Sequence, residues 1–378
     1  MTWGLYIHVP FCIRKCPYCD FYSISDLSRQ DEYVDALVSE MAMRTRPGLV
    51  FDTVYLGGGT PSVLAPAQIE QILAAAHRHF AISTDAEITL EANPGTVTQK
   101  SLSACRSAGV NRLNIGVQSF NDASLAFLGR IHSAGQAVAA LQAAGRAGFE
   151  NIGLDLIYGL PRQSQSAWHE DLSAAAAFFP SHISCYMLTF EPGTKMTADK
   201  DAGRFAPPAE QRVSAMFVQA AEFLSARGYQ HYEISNFASG KSARSCHNIK
   251  YWQNLPYIGL GPAAHSYIAP ERFWNRRSVD AYIAEISSGR TPTAEIERLT
   301  DAQMMIEAVY LGLRQADGID VPGFERRFGV DFEKRFGPVV ARFVESGRMA
   351  ADRRMCRLTR KGMLYLDSIA AGMIEMIS

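Results

Sequence analysis

The sequence predicts an α/β protein built on a parallel sheet, with a smaller helical unit towards the carboxyl end. Short apolar runs alternate with longer, alanine-rich amphipathic stretches through the first half of the chain, which is typical of strands connected by helices. The chain has 378 residues, 47% of them hydrophobic, enough for one large domain and one small one. Polar residues follow several of the apolar runs, which places a predicted site at the carboxyl ends of the strands.

Six short apolar runs are predicted to be strands of this sheet. Their periodicity predicts a parallel sheet with helices outside it and leaves open whether the sheet closes into a complete barrel. In chain order, the predicted strands are Gly4–Val9, Thr53–Leu56, Glu87–Leu90, Arg112–Val117, Ile152–Ile157 and Ile183–Leu188.

Amphipathic segments between these runs are predicted to be helices. Asp31 and Thr98 are predicted N-caps, because short polar side chains accept hydrogen bonds from the first turn. Gly109 and Gly148 are predicted to end helices. The predicted helices are Asp31–Arg44, Pro66–His79, Thr98–Ala108, Ala134–Ala147 and Ser166–Phe179.

The alternation becomes looser after about residue 195. Asp199–Pro208 is a polar connection that contains proline, and a helix is predicted at Ala209–Arg227. Ser235–Asn275 is predicted to be rich in loops, with few regular elements.

The pattern of apolar and polar residues changes again near residue 290, and from there a compact helical unit is predicted. A short hairpin is expected at Met349–Leu358. We therefore predict three parts: a core at 1–235, a loop-rich segment at 236–290 and a helical domain at 291–378.

Composition excludes several classes of protein. The formal net charge is −1, so no global affinity for nucleic acid or an anionic membrane is expected. No apolar run has the length needed to span a bilayer. Seven cysteines, an odd number, and the lack of a secretory signal predict free thiols and a cytoplasmic location.

Three cysteines near the amino terminus form the most informative motif. Cys12, Cys16 and Cys19 have the spacing C-x3-C-x2-C, so three thiolates can surround one metal centre from a single loop. A structural zinc site takes four protein ligands, and ordinary iron–sulfur clusters are also held by four. Three protein ligands would leave one metal position open to something other than protein.

Two other interpretations of the three cysteines are a zinc site and an inert buried trio. A zinc site would need His8 or a distant residue as a fourth ligand. An inert buried trio fits poorly, because Arg14 and Lys15 between the thiols would lower their pKa values. A cluster with an open iron is the favoured interpretation. The remaining scattered cysteines are predicted to pack as small apolar residues: Cys105, Cys185 and Cys356.

Four motifs follow predicted strands. Gly57–Pro61, Gly-Gly-Gly-Thr-Pro, either lets the backbone approach a ligand closely or forms a tight turn. Glu91, Gln118 and Asp155 are polar residues within or just after apolar strands. A buried acid needs a partner, and Arg130 is a plausible counter-ion for Asp155. Together these residues predict a cofactor pocket beside the cysteine loop.

At these residues the sequence resembles the radical S-adenosylmethionine (SAM) superfamily. In that superfamily the open iron of a [4Fe–4S] cluster binds the amino and carboxylate groups of SAM, and an electron from the cluster can cleave SAM to a 5′-deoxyadenosyl radical. The resemblance implies a partial (β/α) barrel of the radical SAM type, with Cys12, Cys16 and Cys19 as cluster ligands.

Nearly the whole chain is similar to the oxygen-independent coproporphyrinogen III oxidase group. This resemblance implies that Tyr6 lies by the cluster and SAM and that Arg130 lies near the SAM carboxylate. It also implies that the side chains of Glu91, Gln118 and Asp155 contact hydroxyl and amino groups of SAM. The implied SAM-pocket residues are Tyr6, Tyr18, Gly58, Gly59, Thr60, Glu91, Gln118, Arg130 and Asp155.

Two features indicate which branch of the group the chain resembles. The oxidase pattern has a further cysteine two residues after the third, whereas this chain has Phe21. The segment 247–252 matches the H-N-x-x-Y-W motif of heme chaperones of the HemW type. That resemblance implies heme as cargo, an apo-hemoprotein recipient such as a respiratory cytochrome, which can lie at the membrane, and a reductant for the cluster.

His247 is the candidate heme ligand, and Tyr251 and Trp252 could pack on a porphyrin face. Cys246 is an adjacent alternative, and His265 is a third. A histidine beside aromatic residues can equally be a packed, hydrogen-bonded structural residue.

Three functions remain as hypotheses. The leading one is a cytoplasmic heme-trafficking protein that holds a [4Fe–4S] cluster and SAM. The alternative is a radical SAM enzyme that oxidises coproporphyrinogen III or transfers a methyl group. The third is a zinc-stabilised interaction protein.

Overall fold

The protein is an α/β structure, described here for residues 2–377 from a computed structural model. Its main feature is one sheet of twelve strands. In chain order the strands are β1 Trp3–Val9, β2 Val50–Gly58, β3 Ala81–Ala92, β4 Arg112–Gln118, β5 Asn151–Tyr158, β6 His182–Met187, β7 Gln230–His231, β8 Asn236–Ala238, β9 Tyr257–Leu260, β10 His265–Ile268, β11 Glu271–Asn275 and β12 Thr293–Arg298.

Helices connect most of the parallel strands and cover the outer face of the sheet. The first ten are α1 Gln30–Arg44, α2 Pro66–His79, α3 Gln99–Ser107, α4 Asp122–Phe127, α5 Ala134–Arg146, α6 Gln165–Ala176, α7 Lys195–Asp201, α8 Glu210–Ser225, α9 Cys246–Trp252 and α10 Val279–Ser287. The sheet and its outer helices share one large hydrophobic core.

The sheet is an open, partial barrel, as predicted. Its strand order is β12-β11-β10-β9-β1-β2-β3-β4-β5-β6-β8-β7. The central strands β9 and β1 to β6 are parallel, and the strands at both edges run antiparallel. Within residues 2–377, β7 and β12 end the sheet without pairing to each other, so the barrel stays open between them.

Side chains that alternate along β1 face either the hydrophobic core or the inner face of the sheet. Leu5, Ile7 and Val9 of β1 are fully buried against the outer helices. The residues between them, Tyr6 and His8, point to the opposite, inner face of the sheet, because side chains alternate along a strand. The site described below lies on that inner face.

The predicted helices all form, with small differences at their ends. Thr98 is an N-cap, and its side chain accepts a hydrogen bond from the Ser101 N–H. The prediction for Asp31 was wrong: α1 begins one residue earlier, Arg29 is its N-cap, and Asp31 lies in the first turn. An acidic residue there still interacts favourably with the helix dipole.

Ser235–Asn275 contains more regular structure than the predicted loop-rich segment. It holds strands β8 to β11 and helix α9. These strands have three to five residues each, too short for a periodic pattern to stand out in the sequence. Strand β9 pairs directly with β1, so the segment is part of the main sheet.

A small, mainly helical unit follows β12 and has its own hydrophobic core. The predicted hairpin is present and is joined by one further short strand. The elements are α11 Asp301–Arg314, β13 Ile319–Asp320, α12 Val321–Phe328, α13 Phe332–Glu345, β14 Met349–Ala351, β15 Met355–Leu358, α14 Arg360–Met363 and α15 Leu366–Ile374. The predicted divisions at residues 235 and 290 stay predictions.

No helix in the described part of the chain combines the length and the apolar character that a bilayer crossing requires.

A buried carboxylate holds the β9–β10 turn against the first helix. Glu40 of α1 is fully buried. It accepts hydrogen bonds from the Gly261 N–H at 2.8 Å, Asn275 Nδ2 at 2.7 Å and the Tyr282 hydroxyl at 2.7 Å. Arg44, one turn along the helix, lies at 3.5 Å. This carboxylate therefore connects α1, the β9–β10 turn, β11 and α10.

Replacement of Glu40 by alanine is expected to destabilise the fold strongly. Its three donors and Arg44 would lose a buried partner, which costs about 3 kcal/mol or more in comparable cases. Urea or thermal unfolding measures the loss. Glu32→Ala, on the exposed side of the same helix, is the control and should change stability by about 0.5 kcal/mol or less. Equal stability of the two variants would contradict this role.

Candidate functional site

A cavity of about 580 Å³ lies on the inner face of the sheet. Strands β2 to β6, the third cysteine of the motif and one residue of α9 contribute to its walls. Residues that line it include Tyr18, Cys19, Gly58, Gly59, Thr60, Glu91, Asn114, Gln118, Arg130, Asp155, His182, Ser184, Tyr186 and Asn248. All but one of the predicted SAM-pocket residues therefore line one cavity; Tyr6 lies behind it, next to Tyr55.

The cysteine loop directly follows β1 and is fixed by backbone hydrogen bonds. The Cys12 N–H donates to the Ile24 carbonyl at 2.9 Å, and the Ile24 N–H donates to the Pro10 carbonyl at 2.7 Å. Within the loop, the Cys19 N–H donates to the Cys16 carbonyl at 3.1 Å. These bonds close the loop at its base and form a turn between its last two cysteines.

The three thiols have different surroundings. Cys12 Sγ lies 3.3 Å from the Thr60 hydroxyl. Arg130 Nη1 donates to Cys16 Sγ at 3.6 Å. Cys19 lines the cavity, and burial raises the pKa of its thiol. Metal binding, which needs thiolates, would therefore have to displace a proton at this site.

The spacing of the three thiols and the contacts of His8 bear on which metal centre the loop could hold. In the described part of the chain, no three histidine, cysteine or acidic side chains converge on one metal position. In a four-iron cluster each thiolate binds a different iron, so its thiols need not converge. His8 is an unsuitable fourth zinc ligand, because its ring nitrogens contact the Tyr6 hydroxyl and the Tyr22 carbonyl at 3.0 and 2.9 Å.

The Gly57–Pro61 turn packs against the backbone of the cysteine loop. The Gly59 N–H donates to the Val9 carbonyl, and the Thr60 N–H to the Phe11 carbonyl, both at 2.8 Å. A Cβ on Gly59 would lie 2.7 Å from the Phe11 oxygen, closer than real Cβ atoms come. Glycine is therefore needed here to let two backbones meet, which fixes the position of the cysteines relative to the cavity.

A second contact fixes the other side of the cysteine loop. Arg14 Nη2 donates to the carbonyls of Gly129 and Arg130 at 2.8 and 2.9 Å. Gly129 has a left-handed backbone, with φ of 67°, and a Cβ there would meet the Pro17 ring at 2.5 Å. The loop is therefore held between two glycine contacts.

Glu91 ends β3 with its carboxyl group towards the cavity. The Tyr55 hydroxyl donates to Glu91 Oε1 at 2.7 Å. Burial, together with the nearby Asp155, raises the pKa of Glu91 to about 7, against the opposing effect of the Tyr55 hydrogen bond. The carboxyl group can therefore accept or donate a hydrogen bond near neutral pH.

Asp155 and Gln118 each present an unpartnered oxygen. Asn114 Nδ2 donates to Asp155 Oδ2 at 2.7 Å, whereas Asp155 Oδ1 is buried without a partner, and burial raises the pKa of this acid. Gln118 Oε1 is also buried and unpartnered, and its residue adopts a left-handed φ of 67°. Backbone strain of this kind is often found at ligand sites.

The predicted ion pair between Arg130 and Asp155 was wrong. Arg130 Nη2 donates instead to the Gly116 carbonyl at 2.8 Å, and Nη1 points to Cys16 and to the Tyr18 hydroxyl, at 3.5 Å. The guanidinium therefore lies between the cysteine loop and β4, and Asp155 takes an amide partner from β4.

Unpartnered polar atoms show that the cavity suits a polar, charged ligand. The oxygens of Gln118 and Asp155 are acceptors, and Arg130 Nε is an unused donor. A buried polar atom without a partner costs about 1–3 kcal/mol, so a ligand with hydroxyl, amino and carboxylate groups would be stabilised here. SAM has these three kinds of group.

Several cavity residues were missed by sequence reasoning. Asn114 and Arg112 lie on the same face of β4 as Gln118, two and three alternations before it. His182, Ser184 and Tyr186 alternate in the same way along β6. Counting back by twos from each polar strand end would have found them. Asn248, in the 247–252 motif, also lines the cavity, but no alternating pattern in the sequence indicates this.

The 247–252 motif closes the end of the partial barrel opposite the cysteine loop. His247 is fully buried. Its Nδ1 is 2.8 Å from the Thr53 hydroxyl and its Nε2 is 2.8 Å from the Tyr251 hydroxyl. The N–H groups of Cys246 and His247 donate to the Glu87 carboxylate at 3.1 Å each. The motif thus connects α9 to the middle parts of β2 and β3.

This geometry restricts His247 as a heme ligand. Both ring nitrogens are hydrogen-bonded, and the ring stacks on Tyr55 with centroids 5.1 Å apart. Burial lowers the pKa of His247 to about 3. Ligation uses one ring nitrogen, so it would break the hydrogen bond to Thr53 or the one to Tyr251, and the fully buried ring would have to become accessible. That His247 binds heme stays a prediction, and the structure adds this condition to it.

The other cysteines and the alternative heme ligands differ in exposure. Cys246 is exposed, but desolvation and the Glu87 carboxylate raise the pKa of its thiol to about 11, which disfavours the ligating thiolate. His265 is exposed and stacks on Trp274. All seven cysteines are free, and those outside the two motifs are buried: Cys105, Cys185 and Cys356.

Family models match two parts of this chain. Residues 6–175 match the radical SAM superfamily, and residues 299–365 match the HemN C-terminal domain. The first match contains the cysteine loop and the strand-end residues of the cavity, and the second lies in the helical unit after β12.

Curated relatives match over most of the chain. The heme chaperone HemW of Synechocystis sp. is 39% identical over 84% of this chain and 79% of its own. The heme chaperone HemW of Bacillus subtilis is 34% identical over 96% and 97%. A mitochondrial radical S-adenosyl methionine domain-containing protein 1 of Danio rerio is 32% identical over 97% and 85%.

A solved structure shows the same fold. The coproporphyrinogen III oxidase HemN of Escherichia coli, described as a radical SAM enzyme, superimposes with a TM-score of 0.84 over 98% of this chain and 90% of its own. Its sequence is 24% identical, so the likeness concerns the fold.

Replacement of Gly59 by alanine is expected to displace the cysteine loop. The new Cβ would overlap the carbonyls of Val9 and Phe11, and neither backbone can yield without moving the cysteines. Iron and sulfide content after anaerobic reconstitution should fall at least about tenfold, as expected for a ligand set that is moved as a whole.

Gly145→Ala is the matched control, because Gly145 lies in α5 with open space around its missing Cβ. It should bind as much iron as the unmodified chain and gain up to about 1 kcal/mol of stability. Normal iron content in Gly59→Ala would contradict the role given to this turn.

Glu91→Gln is expected to stabilise the cluster-free chain in a pH-dependent way. The folded-state pKa of Glu91 is about 7, above the ordinary 4.5. Below pH 4.5 the carboxyl is protonated in both states, so the substitution changes little. As pH rises from 4.5 to 7, ionisation favours the unfolded chain, at a cost on the order of 3 kcal/mol.

Unfolding in urea between pH 4.5 and pH 8 measures this difference. Glutamine can still accept the Tyr55 hydrogen bond, so the gain should appear only at the higher pH. The exposed Glu70 provides a control, since Glu70→Gln should be neutral throughout. A gain that is independent of pH would show that the carboxyl is not the cause.

Proposed function

The chain belongs to the family of the HemW heme chaperones, within the radical SAM superfamily, and we propose that it binds a [4Fe–4S] cluster, SAM and heme and transfers the heme to apo-hemoproteins. The observation that carries this proposal is the cysteine loop, which is held against a cavity with unpartnered polar atoms. The similarity to heme chaperones extends over most of the chain.

Cys12, Cys16 and Cys19 would hold the cluster. The loop that bears them is fixed on one side by the Gly57–Pro61 turn and on the other by the Arg14 contact with Gly129. Three protein thiolates leave one iron open. When bound, the cluster supplies an electron and an open coordination site, which is the chemistry that this superfamily uses on SAM.

SAM would occupy the cavity beside the loop. The acceptor oxygens of Gln118 and Asp155 suit its hydroxyl and amino groups, and Glu91 can accept or donate. Arg130 lies next to Cys16, where it can bind a carboxylate that reaches the open iron. The backbone of the Gly58–Thr60 turn and the Tyr18 side chain complete the walls.

Carriage of heme is favoured over porphyrinogen oxidation. Phe21, at the mouth of the cavity and 65% exposed, stands where the oxidase pattern has a further cysteine. An exposed aromatic side chain is a suitable surface for a flat apolar ligand. The alternative remains a radical SAM enzyme that acts on a porphyrinogen or transfers a methyl group. The fold that this chain shares with HemN is compatible with that alternative.

The proposed cellular setting is the cytoplasm. Seven free cysteines, none paired among the described residues, fit a reducing compartment. The proposed partners are heme, a reductant for the cluster, and an apo-hemoprotein recipient that can lie at the membrane. A near-neutral net charge agrees with the expectation that nucleic acid is not a ligand.

Parallel assays on anaerobically reconstituted protein test the function. The chain should bind ferric heme, transfer it to an apo-hemoprotein, and leave coproporphyrinogen III unchanged in the presence of SAM and reductant. Cys16→Ala should lose most of its iron and sulfide, because one of three protein ligands is removed. The measurements are iron and sulfide content, heme absorbance and product analysis.

Cys105→Ala is the control, since Cys105 is a buried thiol of α3 away from the cavity. It should retain full iron content. Turnover of coproporphyrinogen III to a vinyl product would overturn the chaperone proposal in favour of the enzyme. A zinc-bound, colourless preparation would contradict both.

A further inference from the structure

One exposed histidine lies close to the cysteine loop and has a free imidazole ring. His265 begins β10 and stacks on Trp274 of β11, with ring centroids 5.3 Å apart and 25° between the planes. Its ring nitrogens form no hydrogen bond with any residue in the range 2–377, and its side chain is exposed. A free imidazole nitrogen is a common axial ligand of heme iron.

Most of the nine histidines are unsuited to this role. His8, His132 and His247 have both ring nitrogens engaged. His182 is buried and bonded to Tyr232, and His231 is bonded to a carbonyl. Three others lie on the outer helices, away from the inner face: His77, His79 and His169.

The turn before His265 is held rigidly against the end of β1. Gly261 has a φ of 94°, and a Cβ on it would lie 2.5 Å from the His8 carbonyl oxygen. The Glu40 carboxylate binds the Gly261 N–H, and Asn275 Nδ2 donates to the Gly261 carbonyl at 3.0 Å. His265 is therefore presented on a fixed platform, next to the strand that leads into the cysteine loop.

A cation suited to a carboxylate lies beside this histidine. Arg277 Nη2 donates to the Asp20 carbonyl of the cysteine loop at 3.2 Å, and the guanidinium lies 6.0 Å above the Tyr22 ring. The Ala263 N–H donates to the Arg276 carbonyl and the Asn275 N–H to the Ala264 carbonyl, both at 3.0 Å, so the segments that bear His265 and Arg277 run side by side. Arg277 forms no ion pair with a carboxylate in the described chain, so its charge is free for an anion.

These side chains match the parts of a heme molecule. Heme has an iron that takes an axial nitrogen, a flat apolar ring and two propionates. His265 offers the nitrogen and Arg277 a partner for a propionate, and Trp274, whose ring is nearly parallel to the imidazole, would contact the porphyrin with its apolar edge. Phe21, one residue from both Asp20 and Tyr22, adds exposed aromatic surface on the same side.

We propose that heme binds at the surface formed by His265, Trp274 and Arg277, with His265 as its axial ligand. This inference rests on the proposed function and assigns the cargo a site outside the 247–252 motif. The surface borders the cysteine loop through Arg277 and Asp20, so bound heme would lie next to the cluster loop and outside the SAM cavity.

Titration of the reconstituted protein with ferric heme, followed by Soret absorbance, tests this assignment. His265→Ala should bind heme about tenfold or more weakly, with a spectrum that lacks a histidine ligand. Added imidazole should restore the ligand and the spectrum of the unmodified protein, which a purely structural role of His265 would not allow. His169→Ala, an exposed histidine beside Phe223, is the control and should bind normally.

A second pair of measurements separates ligation from ring and charge contacts. Metal-free protoporphyrin IX has no iron, so its affinity should be unchanged in His265→Ala. Arg277→Gln should weaken the binding of both porphyrins several-fold and reduce the salt dependence of binding. Unchanged heme affinity and spectrum in His265→Ala would overturn the assignment. Failure of the unmodified protein to bind heme would instead overturn the proposed function.

Discussion

The close approach of two backbones, the Gly57–Pro61 turn and the residues that lead into the cysteine loop, is the constraint on which the site depends. Two hydrogen bonds of 2.8 Å join the segments, and no side chain fits between them at Gly59. Since β1 and β2 are neighbours in the sheet, this contact fixes where the thiols lie relative to every other strand end. The Arg14 and Gly129 contacts fix the opposite side of the loop.

The cavity beside the loop holds polar groups at an energetic cost to the empty chain. Burial raises the pKa values of Glu91 and Asp155, and the oxygens of Gln118 and Asp155 have no partners. Such groups destabilise the fold unless a ligand satisfies them. A preformed site of this kind would bind a ligand without ordering new segments, and the stability of the rest of the core offsets the cost of its polar groups.

Much of the fold, and the grouping of polar strand-end residues around one cavity, could be predicted from the sequence, because strand ends and cysteine spacing are local signals. The strands β9 to β12 could not, since each is short and its place in the sheet depends on pairing with distant segments such as β1. The ranking of heme ligands also depended on distant contacts. His247 looked favourable in its motif, but Thr53, 194 residues away, occupies one of its nitrogens. The sequence around His265 does not show that the turn before it packs against β1.

The most direct test of the account is the electron paramagnetic resonance spectrum of the reduced, reconstituted protein with and without SAM. If Cys12, Cys16 and Cys19 hold a [4Fe–4S] cluster whose open iron faces the cavity, the cluster signal should change when SAM is added. Substitution of Asp155 by alanine should weaken that change without removing the cluster. A cluster signal that does not respond to saturating SAM would contradict the account.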